Sequence, residues 1–306
     1  MPVVGAPTAA SRPAPTVPVA DRVPPPAYFA VSAVFHYLGP AFAVLLFVHV
    51  DPLGVTWLRI AGAAALFALW RRPWRVLVRA TPAQRRLLIG LGVVLALMNA
   101  SFYLAVDRLP LATVGAVEFV GVIGLAALGL RSARNAVALG FVVVGVLVLT
   151  DVRLATEPLG LGFAFANCAL FVGYVVLGHR VAQGTRSGAG WSGIDQLGAA
   201  MLLAAVVATP IGLAQATPAL TDPSLLLAGL GVAICSSVIP YVTDQLAMAR
   251  LPRETFAVML ALLPVFAVVI GAVVLRQIPT PAELVGIAVV VAGVALHEIP
   301  TPKEER

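Results

Sequence analysis

Three charged residues stand in or at the edge of long apolar runs, where a charge can do chemistry that a solvated one cannot. Glu118 lies between LATVGAV and FVGVIGLAALGL, with no charged residue over the next twelve positions. A charge at mid-bilayer costs at least ~2.5 kcal/mol, so such a group faces protein or a water-filled cavity. Glu118 therefore reads as a proton-titrating group or substrate contact, with a structural ion pair to Arg59 as the other reading. Arg59, near the outer end of its run, can snorkel outward or point into a cavity. Asp244 sits near the inner end of another run, where it either serves the same cavity or reaches cytoplasmic water. Asn99, Tyr103, Tyr174, Ser236 and Tyr241 can hydrogen-bond a polar substrate or tie helices together. His36, isolated among aromatic and small residues, reads as packing. Pro40, Pro210, Pro240 and Pro264 interrupt apolar runs, and such breaks free backbone carbonyls that can line a cavity.

The elements that position these residues follow from composition. The chain has 306 residues, 60% hydrophobic and 11% charged, against about 25% charged in an ordinary soluble domain. Its mean hydropathy of +0.98 divides the length into spans of ~20 apolar residues with short connections. Ten runs result, near 27–48, 53–70, 87–106, 111–130, 136–150, 159–178, 196–215, 225–246, 254–275 and 282–297. Each must be helical, because a segment in lipid satisfies its backbone N–H and C=O groups internally. The fold expected is an all-α integral membrane protein of ten transmembrane helices, with no extramembrane part large enough for a catalytic domain.

Orientation follows from the Lys and Arg residues, which favour short cytoplasmic loops. With the N-terminus inside, sixteen of the twenty basic residues fall in inner segments and three, Arg108, Arg153 and Arg276, in outer ones. Both termini are expected in the cytoplasm. The same scatter over short loops argues against nucleic acid as the reason for the net charge of +6. Shifting the chain by 142 residues brings Ala105, Arg108, Leu109, Pro110 and Thr113 onto Ala247, Arg250, Leu251, Pro252 and Thr255. Residues 27–151 and 159–298 thus form two five-helix repeats, and because five is odd the second is inverted. Two such halves can exchange conformations and open a central cavity to alternate sides. Residues 1–26, rich in Pro and Ala, read as a disordered tail, and 299–306 as a charged one.

Absences narrow the chemistry. The one lysine is Lys303, so there is no Walker A lysine for ATP and no Schiff-base lysine within the spans. His36, His49, His179 and His297 are too scattered for a zinc site, and there is no H-E-x-x-H or G-x-S-x-G. Cys168 and Cys235 lie within apolar runs and read as small packing residues. No cofactor, no metal and no enzymatic activity are expected.

With these residues in view, the sequence resembles the drug/metabolite transporter superfamily with two EamA-type repeats, and within it the threonine and homoserine exporter group. The resemblance spans roughly residues 30–298. It rests on GVTWLR at 54–59, MNASFYL at 98–104, Pro110-Leu111, A-V-E-F-x-G at 116–121, Tyr174, the run from Ser236 through Pro240 and Tyr241, and A-x-x-R-L-P-x-x-T-F at 247–256. It implies an inner-membrane exporter of small amino acids coupled to protons, with a lipid bilayer and a small-molecule substrate as partners. It also implies that Arg59, Asn99, Tyr103, Glu118, Pro240, Tyr241 and Asp244 occupy functional positions. Three positions depart from the family pattern: Val122 where a proline is usual, Leu263 where a glutamate stands before Pro264, and Gln277 where an acidic residue follows the ninth span. A cavity lined by aromatic rather than hydrogen-bonding groups would instead fit an exporter of drugs or other amphiphiles.

Overall fold

The computed structural model describes residues 24–128, 133–154, 157–184, 190–252, 256, 259–260 and 263–296. Most of the Pro-rich tail, the charged C-terminal tail, Thr255 and the side chain of Val122 lie outside the described residues. Every described element is helical: α1 (Pro25–Leu46), α2 (Pro52–Arg71), α3 (Trp74–Arg79), α4 (Pro82–Val106), α5 (Leu111–Leu128), α6 (Ala133–Leu154) and α7 (Pro158–Gly184). There follow α8 (Gly193–Gly212), α9 (Thr217–Thr221), α10 (Pro223–Ala233), a π-helical turn at Ile234–Val238, α11 (Ile239–Met248), α12 (Leu263–Leu275) and α13 (Pro281–Leu296). Among the described residues α1, α2, α4, α7, α8 and the continuous Pro223–Met248 helix are long and apolar enough to cross a membrane. Outward-facing side chains such as Val206 (70% exposed), Leu227 (69%) and Val273 (76%) are supported in such a setting by acyl chains rather than water.

Local sequence explains where the helices begin. α1, α2, α4, α7, α10 and α13 start at a proline, whose fixed φ and missing N–H suit the first helical turn. Thr81 with Gln84, and Ser192 with Asp195, close reciprocal capping boxes at the starts of α4 and α8, satisfying backbone donors that helix geometry leaves free. α3 and α9 are additions to the ten expected runs. α3 forms within the Arg-rich loop because Val76 is buried while Trp74 and Val78 stay exposed, the pattern of a short interfacial turn.

Helix neighbours form a regular set. α6 lies along α13, α4 along α7 and α8, α2 along α8 and α10, α5 along α7 and α12, and α1 along α11 and α12. Three of these pairs run antiparallel by their end contacts. Arg71 at the end of α2 bonds Asp195 at the start of α8 (2.7 Å), while Trp57 near the start of α2 donates to Thr209 near the end of α8 (3.1 Å). Arg134 at the start of α6 donates to the Leu296 carbonyl at the end of α13 (2.8 Å). Gln277, just past α12, accepts from the Leu111 amide at the start of α5 (3.0 Å). Through that last bond the neutral Gln277 side chain caps α5. Gln277→Ala is expected to cost about 1 kcal/mol, the usual value of a lost N-terminal cap, read as a lower unfolding midpoint in detergent.

Small residues set the closest approaches. Ala200 and Ala204 of α8 lie directly against Gly92 of α4, the small-residue packing that lets membrane helices meet. At Gly39 of α1 an added Cβ would stand 2.6 Å from the Ser236 Cα and backbone nitrogen in the π turn. Gly39→Ala must therefore push α1 away from that turn, and it is expected to destabilise by about 1–3 kcal/mol, the range of overpacked cores. A thermal scan of the purified variant checks it.

Candidate functional site

Pro240 has no amide hydrogen for the Ser236 carbonyl four residues before it. The preceding turn widens into a π-helical segment, a distortion frequent at functional sites. The freed Ser236 carbonyl then accepts from Arg59 Nη2, and Arg59 Nε donates to Ser237 Oγ at 2.8 Å. Arg59 is 4% exposed and points inward, which decides between its two expected orientations. Its guanidinium carbon lies 5.3 Å from the Tyr103 ring centroid and 5.8 Å from that of Tyr241, within the ~6 Å of a cation–π contact. Arg59 Nη2 also donates to the Tyr241 hydroxyl (3.3 Å), which in turn donates to Asn99 Oδ1 (3.2 Å). Tyr103 thus enters the site through the face of its ring.

A second cluster surrounds Glu118, 3% exposed on α5. Asn167 Nδ2 donates to Oε1 at 3.0 Å and the Tyr37 hydroxyl to Oε2 at 3.2 Å. His36 Nε2 stands 3.8 Å from Oε2. The ion pair with Arg59 that the sequence allowed for Glu118 is not formed: Arg59 donates to Ser236, Ser237 and Tyr241, while Glu118 has Asn167, Tyr37 and His36 as its neighbours. His36, read as packing, does pack edge-on to Tyr37 and Phe171, and its ring also borders the same cleft as Glu118.

Asp244 is 2% exposed, which overturns the reading that it reaches water. Ser32 Oγ donates to its Oδ1, and the Tyr174 hydroxyl to Oδ2 at 2.8 Å. Tyr174 and Tyr241 rings lie 5.4 Å apart, so the Asp244 and Arg59 clusters abut. Arg59, Asn99, Tyr103, Glu118, Tyr174, Ser236, Pro240, Tyr241 and Asp244 converge on this one region. Ser32, Tyr37, Asn167 and Ser237 were not singled out, yet each donates to or accepts from a charged group. Asn167 left the clearest trace, as a lone amide in the run LGFAFANCALF.

Between the clusters lies a narrow cleft, bordered by His36, Pro40, Arg59, Met98, Asn99, Phe102, Glu118, Asn167 and Tyr241. It offers one cation and one carboxylate that do not neutralise each other. No group of His, Cys, Asp or Glu among the described residues could hold a metal ion.

A helical membrane protein whose buried polar groups meet at one central cleft has the architecture of a carrier, and comparison with known proteins agrees. Residues 158–297 match the EamA-like transporter family. The chain is 34% identical over 253 residues to the threonine/homoserine exporter RhtA of Escherichia coli (strain K12), covering 81% of this chain and 82% of the relative. It is 32% identical over 255 residues to RhtA of Salmonella typhimurium (strain SL1344), with the same coverage. A solved crystal structure, 20% identical and covering 88% of this chain and 96% of its own, superposes with a TM-score of 0.60, so the fold is shared. The chain belongs to the EamA-like transporter family. It is a multi-pass membrane transporter rather than an enzyme, as its relatives are.

Proposed function

We propose that this protein exports small amino acids of the threonine and homoserine kind across the inner membrane, by proton antiport and alternating access. One observation carries the reading: Arg59 and Glu118 border the same small cleft without being paired to each other. A zwitterion supplies an opposite charge to each, its carboxylate to Arg59 and its ammonium to Glu118. Asn99, Tyr103 and Tyr241 hold Arg59 in place, and Tyr174 and Asp244 support Tyr241 from behind. The names of the relatives support the substrate class. Hydrogen-bonding groups outnumber aromatic ones along the walls of the cleft, which favours an amino acid over an amphiphile.

Alternating access requires ten helices in two inverted halves, residues 27–151 and 159–298, and the helix neighbours support this. Exchange α1, α2, α4, α5 and α6 for α7, α8, Pro223–Met248, α12 and α13, and the principal neighbours are preserved. The α4–α7 contact becomes Pro223–Met248 on α1, and α5–α7 becomes α12 on α1. The pairs α2–α8, α5–α12 and α6–α13 map onto themselves, and each is antiparallel, as inversion demands. Asn99 and Tyr241, separated by the repeat shift of 142 residues, hydrogen-bond to each other. Equivalent residues touch only near a twofold axis, so the cleft sits where the halves pivot.

In this cycle Glu118 gives its proton to the cytoplasm, binds the substrate ammonium, and is reprotonated from outside, which expels the substrate. A proton or an ammonium must neutralise the carboxylate before the halves rock, because a bare charge at that depth is penalised. Both termini lie in the cytoplasm, as the loop charges indicate. Counterflow in proteoliposomes tests the reading: threonine and homoserine should exchange, and a pH gradient should drive net movement. Efflux of an amphiphilic cation with no amino-acid exchange would replace it with the drug-exporter reading.

A further inference from the structure

Glu118 has an imidazole beside it, and that ring sits on a helix that also bonds Asp244. The His36 side chain is 10% exposed, with Nε2 3.8 Å from Glu118 Oε2. Its ring is set edge-on to Tyr37 (5.4 Å) and Phe171 (5.6 Å), which fixes its direction. Ser32, one turn earlier on the same face of α1, donates to Asp244. A single face of α1 thus meets a carboxylate on α5 and another on α11, one from each proposed half. The titratable groups around His36 are Tyr37 on α1, Arg59 on α2, Tyr103 on α4, Glu118 on α5, Cys168 and Tyr174 on α7, and Tyr241 and Asp244 on α11. Cys235 lies in the π turn, and α12 carries none between residues 263 and 275. Arg59 donates to Ser236, Ser237 and Tyr241 through Nε and Nη2 and makes no ion pair with Glu118.

We propose that His36 and Glu118 share one exchangeable proton, so that the coupling group of the exporter is this pair rather than Glu118 alone. When the 3.8 Å gap closes to hydrogen-bond distance, the His36 Nε2–H bond breaks and a Glu118 Oε2–H bond forms; imidazolium and carboxylate become imidazole and carboxylic acid. The pair has no net charge in either form, so the proton-loaded site crosses the bilayer core as a neutral unit. Loss of that proton to the cytoplasm leaves neutral imidazole beside a carboxylate, which is open to the substrate ammonium.

The inference rests on the exporter reading, and its test separates the two. Isothermal titration of threonine into the purified full-length protein, in buffers of different ionisation enthalpy, counts protons released per substrate bound as a function of pH. His36→Gln is expected to move the pH of half-maximal release by about one unit or more, the coupling at which two sites titrate as a pair. A profile superimposable on the native one overturns the pair. A second measurement keeps the native histidine: acylation of His36 by diethylpyrocarbonate, followed by mass spectrometry against pH, in native protein and in Glu118→Gln. Midpoints differing by about one unit support the pair, and identical midpoints overturn it. If threonine does not bind the native protein, the substrate assignment fails while the acylation experiment still decides the pair.

Discussion

Glu118→Gln is expected to abolish proton-driven movement of amino acid in proteoliposomes while leaving the protein folded. Glutamine keeps the size of the side chain and an acceptor for Asn167, which now donates to Oε1 at 3.0 Å. It cannot bind or release a proton, and it cannot neutralise a substrate ammonium. For one-proton coupling each pH unit supplies ~1.36 kcal/mol, a tenfold accumulation ratio, and ~2.3 kcal/mol per 100 mV is added when a charge moves. The variant should hold no gradient of substrate at any imposed pH difference. Accumulation equal to that of the native protein would falsify the assignment of Glu118 as a coupling group.

The second large effect is at Arg59. Arg59→Lys keeps the charge but loses the planar fork, and a single ammonium cannot serve Ser237 Oγ, the Ser236 carbonyl and the Tyr241 hydroxyl in the present geometry. Losing one charge-assisted hydrogen bond of the fork costs about 1.5–3 kcal/mol, so threonine affinity should fall by roughly tenfold or more, since 1.4 kcal/mol is tenfold. The loss should be confined to ligands that carry a carboxylate; an amine of the same shape should bind native and variant alike. Titration calorimetry with both ligands reads the difference. A lysine variant that binds threonine as the native protein does would remove the carboxylate from Arg59.

Pro240 shows how far a single residue can be followed from the chain. The sequence marks it as a break that frees a carbonyl, and the Ser236 carbonyl four residues earlier is indeed taken by a side chain. That the side chain belongs to Arg59, 177 positions away, was not legible. His36 is the opposite case. Its surroundings in the chain are aromatic and small, so it reads as packing, and only the arrival of α5 beside α1 makes it a neighbour of Glu118. Gln277 belongs with it: as a departure from the family pattern it suggests a lost charge, whereas in the fold its side chain caps α5.

Residence in a membrane, the helical state and the helix starts are properties the chain carries on its own. They depend on interactions that close within one segment: an apolar run must bond its own backbone, and a proline at the first turn acts on its immediate neighbours. The choice of partners for the buried charges was made only by tertiary structure. Asn167 reaches Glu118 from 49 positions away, Tyr37 from 81, and Ser32 reaches Asp244 from 212. No local pattern encodes such a pairing, because a polar group buried in a bundle is satisfied by whichever helix face packs against it. That depends on how all the helices are arranged together.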